Sequence, residues 1–270
     1  MLEIRNISKT FFAGTLNEVR SLDDVCLSIP TGSFVNVIGT NGSGKSTLLN
    51  AVAGAFPVDS GRILLDGEDL TAQSEFQRAR RIGRVFQNPF SGSAATMTIA
   101  ENLALASRRG LSRRLGWSLS RQLRDEIGDR IRSLKMGLEN RLDNPIGSLS
   151  GGQRQAITLL MATWVKPEIL LLDEHTAALD PASADQVIRL THELITRDRL
   201  TTLMVTHSMQ QAVSLGDRII MMHRGNIVAD LSGAEKESSR THDLLNRFDE
   251  LQRRDQLTPA VRDLLERLYV

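Results

Sequence analysis

The sequence predicts an α/β fold built on a phosphate-binding strand, loop and helix, with an antiparallel β lobe and an inserted α-helical subdomain. Three observations predict it. Gly39-Thr40-Asn41-Gly42-Ser43-Gly44-Lys45-Ser46 lies between an apolar run and helix-forming residues. Leu170-Leu171-Leu172-Asp173-Glu174 brings paired carboxylates to the end of a second apolar run. Between them, the spacing of apolar residues changes from alternation to the helical repeat.

The elements follow in order. Leu2 and Ile4, then Val25, Leu27 and Ile29, alternate with polar residues up to a Pro30-Thr31-Gly32 turn, which reads as an antiparallel lobe. Cys26 falls in that alternation and reads as an inert core or edge thiol. Residues 34–38 read as a buried strand, and a helix begins at Ser46. Residues 62–67 read as a hairpin ending in Asp-Gly, and residues 82–86 as another strand. From about residue 89 to about 150 the chain reads as a helical insert with apolar faces at Ile99, Leu103 and Leu105, then Ile127, Ile131 and Leu134. The arginines at 108, 109, 113, 114, 121 and 124 read as a solvated basic face. The core resumes with a helix from Ser150, a strand at 169–172, a helix after Pro181, a strand at 202–206 and a β return at 218–222. Residues 1–232 form one domain on this reading, and 233–270 a helical extension with apolar faces at Leu244, Leu245, Phe248, Leu251 and at Val261, Leu264, Leu265, Leu268.

The bulk composition narrows the classes. The 270 residues are 41% hydrophobic, enough for a substantial core. The 33 basic residues against 32 acidic give no argument for nucleic-acid binding. A single cysteine excludes an internal disulfide framework and fits a reducing compartment. The start does not read as a secretory signal, and the apolar runs fall below the roughly 18 residues that cross a bilayer. The expectation is a cytoplasmic chain that works at a membrane only by docking onto another protein's spanning segments.

The motifs carry chemistry. Gly39, Gly42 and Gly44 let backbone N–H groups turn inward around phosphates, and the helix start adds its positive end. Lys45 supplies a point charge and Ser46 a magnesium ligand. Asp173 can complete the magnesium shell, and Glu174 can act as general base on the attacking water. Gln87 and His207 each follow an apolar strand, which aims Gln87 at the metal or water and His207 at the terminal phosphate. His175 has no clear target. Ser150-Gly151-Gly152-Gln153 is a second small-residue helix start suited to an anion, although its own chain needs no further phosphate site nearby. Its ligand therefore comes from a second subunit, with Asp180 at the seam between the two.

With those residues assembled, the chain resembles the nucleotide-binding subunit of ABC transporters to about residue 232. The resemblance implies an ABC ATPase that binds ATP and Mg²⁺ in a head-to-tail homodimer. Gly39, Asn41, Gly42, Ser43, Gly44, Lys45, Ser46 and Thr47 then hold the phosphates, with Gln87, Asp173, Glu174 and His207 beside them. The other copy presents Ser150, Gly151, Gly152 and Gln153, with Asp180 between. Phe11 matches the residue that stacks on adenine, with Phe where Tyr is usual, and Phe12 is the alternative. His175 stands where the family often has Pro, and Ala177 where Ser is more common. The resemblance further implies permease subunits contacted beside Gln87, Asn88, Pro89 and Phe90, indirect action of a solute-binding protein, and a place on the cytoplasmic face of the inner membrane. It is most similar to a bacterial import group for amino acids such as tryptophan and tyrosine. The rival is a soluble ABC ATPase of the iron–sulfur assembly type.

Overall fold

The computed structural model describes residues 1–110, 119–238 and 244. The strands β1 (Leu2–Phe11) and β2 (Val19–Ile29) pair antiparallel, with Leu2, Ile4, Val25, Leu27 and Ile29 all buried. Cys26 is exposed on β2, the edge of its sheet, and its Sγ accepts from the Asn6 N–H at 3.2 Å. The fully buried β3 (Phe34–Gly39) leads into the glycine loop and α1 (Lys45–Ala53). The helix ends at Gly54, where the buried Arg78 guanidinium donates to the carbonyls of Ala51 at 2.7 Å and Val52 at 2.9 Å. A cation on the last carbonyls of α1 satisfies groups that helix geometry leaves open. The hairpin β4 (Ser60–Leu65) and β5 (Glu68–Asp69) completes a four-stranded sheet in the order β2-β1-β4-β5.

The short α2 (Glu75–Arg78) precedes β6 (Ile82–Val85). In the insert, α3 (Ile99–Ser107) and α4 (Arg121–Ser133) are the described α-helices, and Ile99, Leu103, Ile127, Ile131 and Leu134 are buried as expected. Leu105 is exposed instead. Within the described part of the insert, residues 89–98 are not helical. Residues 89–98 are turns whose backbone is held by the Asn102 side chain, which accepts from Ala94 N and donates to the carbonyls of Ala94 and Thr98. Arg113 and Arg114 lie outside the described residues.

The chain continues through α5 (Gly151–Thr163), β7 (Ile169–Asp173), α6 (Pro181–Asp198), β8 (Thr202–Val205), α7 (Met209–Ser214), β9 (Arg218–His223), β10 (Asn226–Ser232) and α8 (Gly233–Ser238). The second sheet has the order β10-β9-β3-β8-β7-β6. Residues 218–222, expected as a return strand, run parallel to β3, and the antiparallel return is β10. Alternation along the central strands feeds both faces: Ile169 and Leu171 pack with α1 and the lobe, while Leu170 and Leu172 pack with α3, α5 and α6. The parallel strands therefore end together at one edge, where open α/β sheets bind ligands. In the tail, Lys236 donates to the carbonyls of Val213 and Gly216, and Leu244 is buried with Ile38, Ile219 and Met221. The other expected tail positions, Leu245, Phe248, Leu251, Val261, Leu264, Leu265 and Leu268, lie outside the described residues.

Candidate nucleotide site

The loop after β3 folds around its own lysine. Lys45 Nζ donates to the carbonyls of Gly39 at 3.0 Å and Thr40 at 2.9 Å. Burial lowers its pKa, opposed by the carboxylates of Glu174 and Asp173. Gly44 caps α1 at φ +98, and a Cβ there would stand 2.3 Å from the Ser21 carbonyl, so the loop needs glycine to lie this close to β2. The turn after β9 straps the loop from the other side, with Gly225 N–H donating to Ser43 O at 3.0 Å. The Ser43 hydroxyl is buried without a hydrogen-bond partner. Asn41, Gly42 and Ser46 are exposed and Thr47 is half-buried, so the loop's outer face is accessible.

The strand ends deliver the acids. Asp173 is partly buried and accepts from the Ser46 side chain, while Arg84 Nη2 lies 3.9 Å from its Oδ2. Burial raises the Asp173 pKa, and Arg84, Ser46 and Lys45 pull it back down. Glu174 adopts φ +45, a left-handed conformation that costs a non-glycine residue about 1–3 kcal/mol and concentrates at functional sites. That turn sets its carboxylate between two neighbours. Gln87 Nε2 donates to Oε2 at 3.0 Å from the end of β6, and His207 Nε2 stands 2.6 Å from Oε1 from the end of β8. His175 points into the core instead. Its Nε2 lies 3.0 Å from Thr191 Oγ1, whose own proton goes to the Val187 carbonyl, so Nε2 is the donor. Burial lowers its pKa to about 4, which keeps it neutral near pH 7.

The second helix start is built differently. Ser150 caps α5, its hydroxyl accepting from Gln153 N–H while Gln153 Oε1 accepts from Ser150 N–H, both at 3.3 Å. Asp180 caps α6 by accepting from Ser183 N–H at 3.0 Å, and hydrogen bonds from the Ser183 side chain and then its backbone lower the Asp180 pKa. A Cβ on Gly152 would lie 2.6 Å from Ser183 Cβ, and one on Gly151 3.1 Å from the tip of Leu179, so the two helix starts meet. Among the described residues, no hydrogen bond or ion pair joins Ser150, Gly151, Gly152 or Asp180 to Lys45, Ser46, Asp173 or Glu174. Two contacts reach toward Gln87 instead: Gln155 Nε2 donates to Phe86 O at 3.0 Å, and the Arg154 guanidinium lies 4.2 Å over the exposed Phe90 ring.

Near the amino terminus, Phe11 meets Phe56 edge to face at 5.2 Å, and Lys9 Nζ is 5.6 Å from each ring. Phe12 is 69% exposed.

A family model described as "ABC transporter" matches residues 22–177. The chain belongs to the ABC transporter family. It is 40% identical over 250 residues to the tyrosine transport ATP-binding protein of Clostridioides difficile (strain R20291), covering 92% of this chain and 99% of that one. It is 35% identical over 238 residues to a methionine import ATP-binding protein of Rhodopseudomonas palustris (strain ATCC BAA-98 / CGA009), covering 86% of this chain and 60% of the relative. The fold is similar to a dimeric ATP-binding cassette in a post-hydrolysis state with ADP and Pi, at TM-score 0.73 and 27% identity, over 86% of this chain and 98% of that one. It is also similar to a nucleotide-free cassette at TM-score 0.75 and 27% identity, over 93% and 98%. This member of the family is an ATPase of the cassette type, with the α/β core, antiparallel lobe and helical insert read from its sequence. No described helix is long and apolar enough to cross a membrane.

Sequence reasoning passed over Arg84, Gln155 and the pair Lys9 and Phe56. Arg84 had a signal, since it is a cation inside the apolar run Ile82-Gly83-Arg84-Val85-Phe86. The others are recognised only by what they touch.

Proposed function

We propose that the chain powers uptake of a solute, of the amino-acid class, by closing two copies of itself around ATP against a separate permease. The observation that carries the hydrolytic part is the Glu174 carboxylate, held at both oxygens by residues from two flanking strands. Glu174 takes a proton from water as its oxygen attacks the terminal phosphorus, and ADP departs with the bond that breaks. His207, on the exposed side, orients that carboxylate and reaches the terminal phosphate. Lys45 exchanges its loop carbonyls for phosphate oxygens, a charge-assisted bond that replaces a neutral one.

Ser46 and Asp173 offer the hard oxygens that suit Mg²⁺, which is commonly held by one or two protein ligands plus substrate phosphates. The orphaned Ser43 hydroxyl and the glycine-lined loop fit such a ligand. When bound, the ion offsets charge on the phosphates. Gln87, hydrogen-bonded to Glu174, stands ready to join that shell.

The second copy supplies Ser150, Gly151, Gly152 and Gln153 to the phosphates, with Asp180 at the seam. Phe11, held in place by Phe56, is the residue that stacks on adenine. The segment Asn88-Pro89-Phe90, tied to α5 by Arg154, is the transmission surface for the permease on the cytoplasmic face of the membrane. The uptake reading rests on relatives named for tyrosine transport and methionine import, and none of those cited is an iron–sulfur assembly protein. Reconstitution with a candidate permease tests this reading. Tyrosine-loaded binding protein should stimulate phosphate release several-fold, and equal rates with and without solute would overturn it.

A further inference from the structure

Arg84 has no part in the chemistry above, yet it sits at the floor of the site. It occupies a strand whose other positions are buried, and only 14% of its side chain is exposed. Its Nη2 donates to Asn50 Oδ1 on α1 and lies 3.9 Å from Asp173 Oδ2 at the end of β7. Its Nη1 is 3.5 Å from Glu75 Oε1 at the start of α2. The guanidinium lies 4.4 Å over the Phe86 ring, next to Gln87, and Nε is buried with no hydrogen-bond partner. Burying a guanidinium with one N–H unsatisfied is unfavourable unless a carboxylate compensates. Two carboxylates do, and one of them is Asp173.

The charges around Asp173 give this placement a consequence. Without nucleotide, Asp173 faces two cations, Lys45 from the loop and Arg84 from the floor, and Lys45 also faces Glu174. A divalent ion entering alone would meet both cations and find one Asp173 oxygen already engaged. ATP reverses the balance, because its phosphates recruit Lys45 and add negative charge above the carboxylate. We propose that Arg84 is the resident counter-ion of Asp173, a positioning residue that makes divalent-metal binding conditional on nucleotide. This rests on the reading that Asp173 is a metal ligand.

The test is Mn²⁺ titration of the full chain, with free ion read by electron paramagnetic resonance, in the absence of nucleotide and with a non-hydrolysable ATP analogue. Arg84→Met keeps the packing over Phe86, and Arg84→Gln keeps a donor for Asn50; both remove the charge. A unit charge beside a divalent ion at a partly solvated site changes affinity by about tenfold. Both neutral variants should therefore bind Mn²⁺ about tenfold more tightly without nucleotide, by a smaller factor with the analogue, and Arg84→Lys should stay near wild type. Unchanged or weaker Mn²⁺ binding in both neutral variants overturns the proposal. Adding Asp173→Asn to Arg84→Met should abolish the gain. If the gain survives, and Asp173→Asn alone leaves metal binding with the analogue intact, the assignment of Asp173 as ligand fails instead.

Discussion

The two helix starts that face phosphates in this account are built in opposite ways. At α1, the side chains are set for a ligand: Lys45 rests on loop carbonyls, Asp173 meets Ser46, and Glu174 lies between Gln87 and His207. At α5, Ser150 and Gln153 cap each other, Asp180 caps α6, and Gly152 fills the contact with Ser183. One half therefore holds groups that can move protons and neutralise charge. The other spends its side chains on its own backbone, and what it presents is a helix start. On the proposed reading, a site divided this way completes its chemistry only when the second half arrives from another copy.

The largest expected effect comes from the first half. Glu174→Gln keeps the hydrogen-bonding shape but not the base, so turnover should fall by about 10²–10⁴-fold with ATP still bound. Phosphate release and nucleotide fluorescence measured on the same preparation check both parts, and a normal turnover number removes Glu174 from its role.

His175 links the halves, since it joins the end of β7 to α6, which begins at Asp180. Its pKa is about 4 when folded and near 6.5 in the unfolded chain, so the unfolded state binds more protons between those values. Stability is complete above pH 6.5, falls as the pH drops toward 4, and loses about 3 kcal/mol in all at this residue. Urea unfolding of His175→Gln should show a flatter pH dependence than wild type over that window, and parallel curves would refute the assignment.

Within the second half, Gly152→Ala forces Cβ into Ser183 and should cost about 1–3 kcal/mol of stability. Gly151→Ala meets only the flexible tip of Leu179, so its melting temperature should move less while hydrolysis still drops. If both variants lose stability equally and neither loses activity beyond that, α5 starts at a purely structural junction. The effect at the base falls on nucleotide binding. Phe11→Ala should weaken ATP binding by about 1–3 kcal/mol, whereas Phe12→Ala should leave it unchanged, and the reverse pattern would reassign the stacking residue.

The first half was the more legible in sequence, for a physical reason. A phosphate loop is local: strand, glycines, lysine and helix lie within one short run, and apolar strands leading to Gln87, Asp173 and His207 state where those residues emerge. The partners are not local. Gln87 and Glu174 are separated by 87 positions, and nothing near either names the other. The left-handed turn at Glu174 was equally hidden, because residues of that type rarely adopt it. Within its own chain Gln153 has its side chain in a helix cap, which the Ser-x-x-Gln spacing could have signalled. Residues 89–98 are turns rather than helix because buried Asn102 offers their backbone side-chain hydrogen bonds in place of helical ones.

Sedimentation of Glu174→Gln with saturating ATP and Mg²⁺ tests the divided site most directly. A divided site requires twice the 29.9 kDa mass of one chain with ATP and a single chain without it. A single-chain mass at saturating ATP would contradict it.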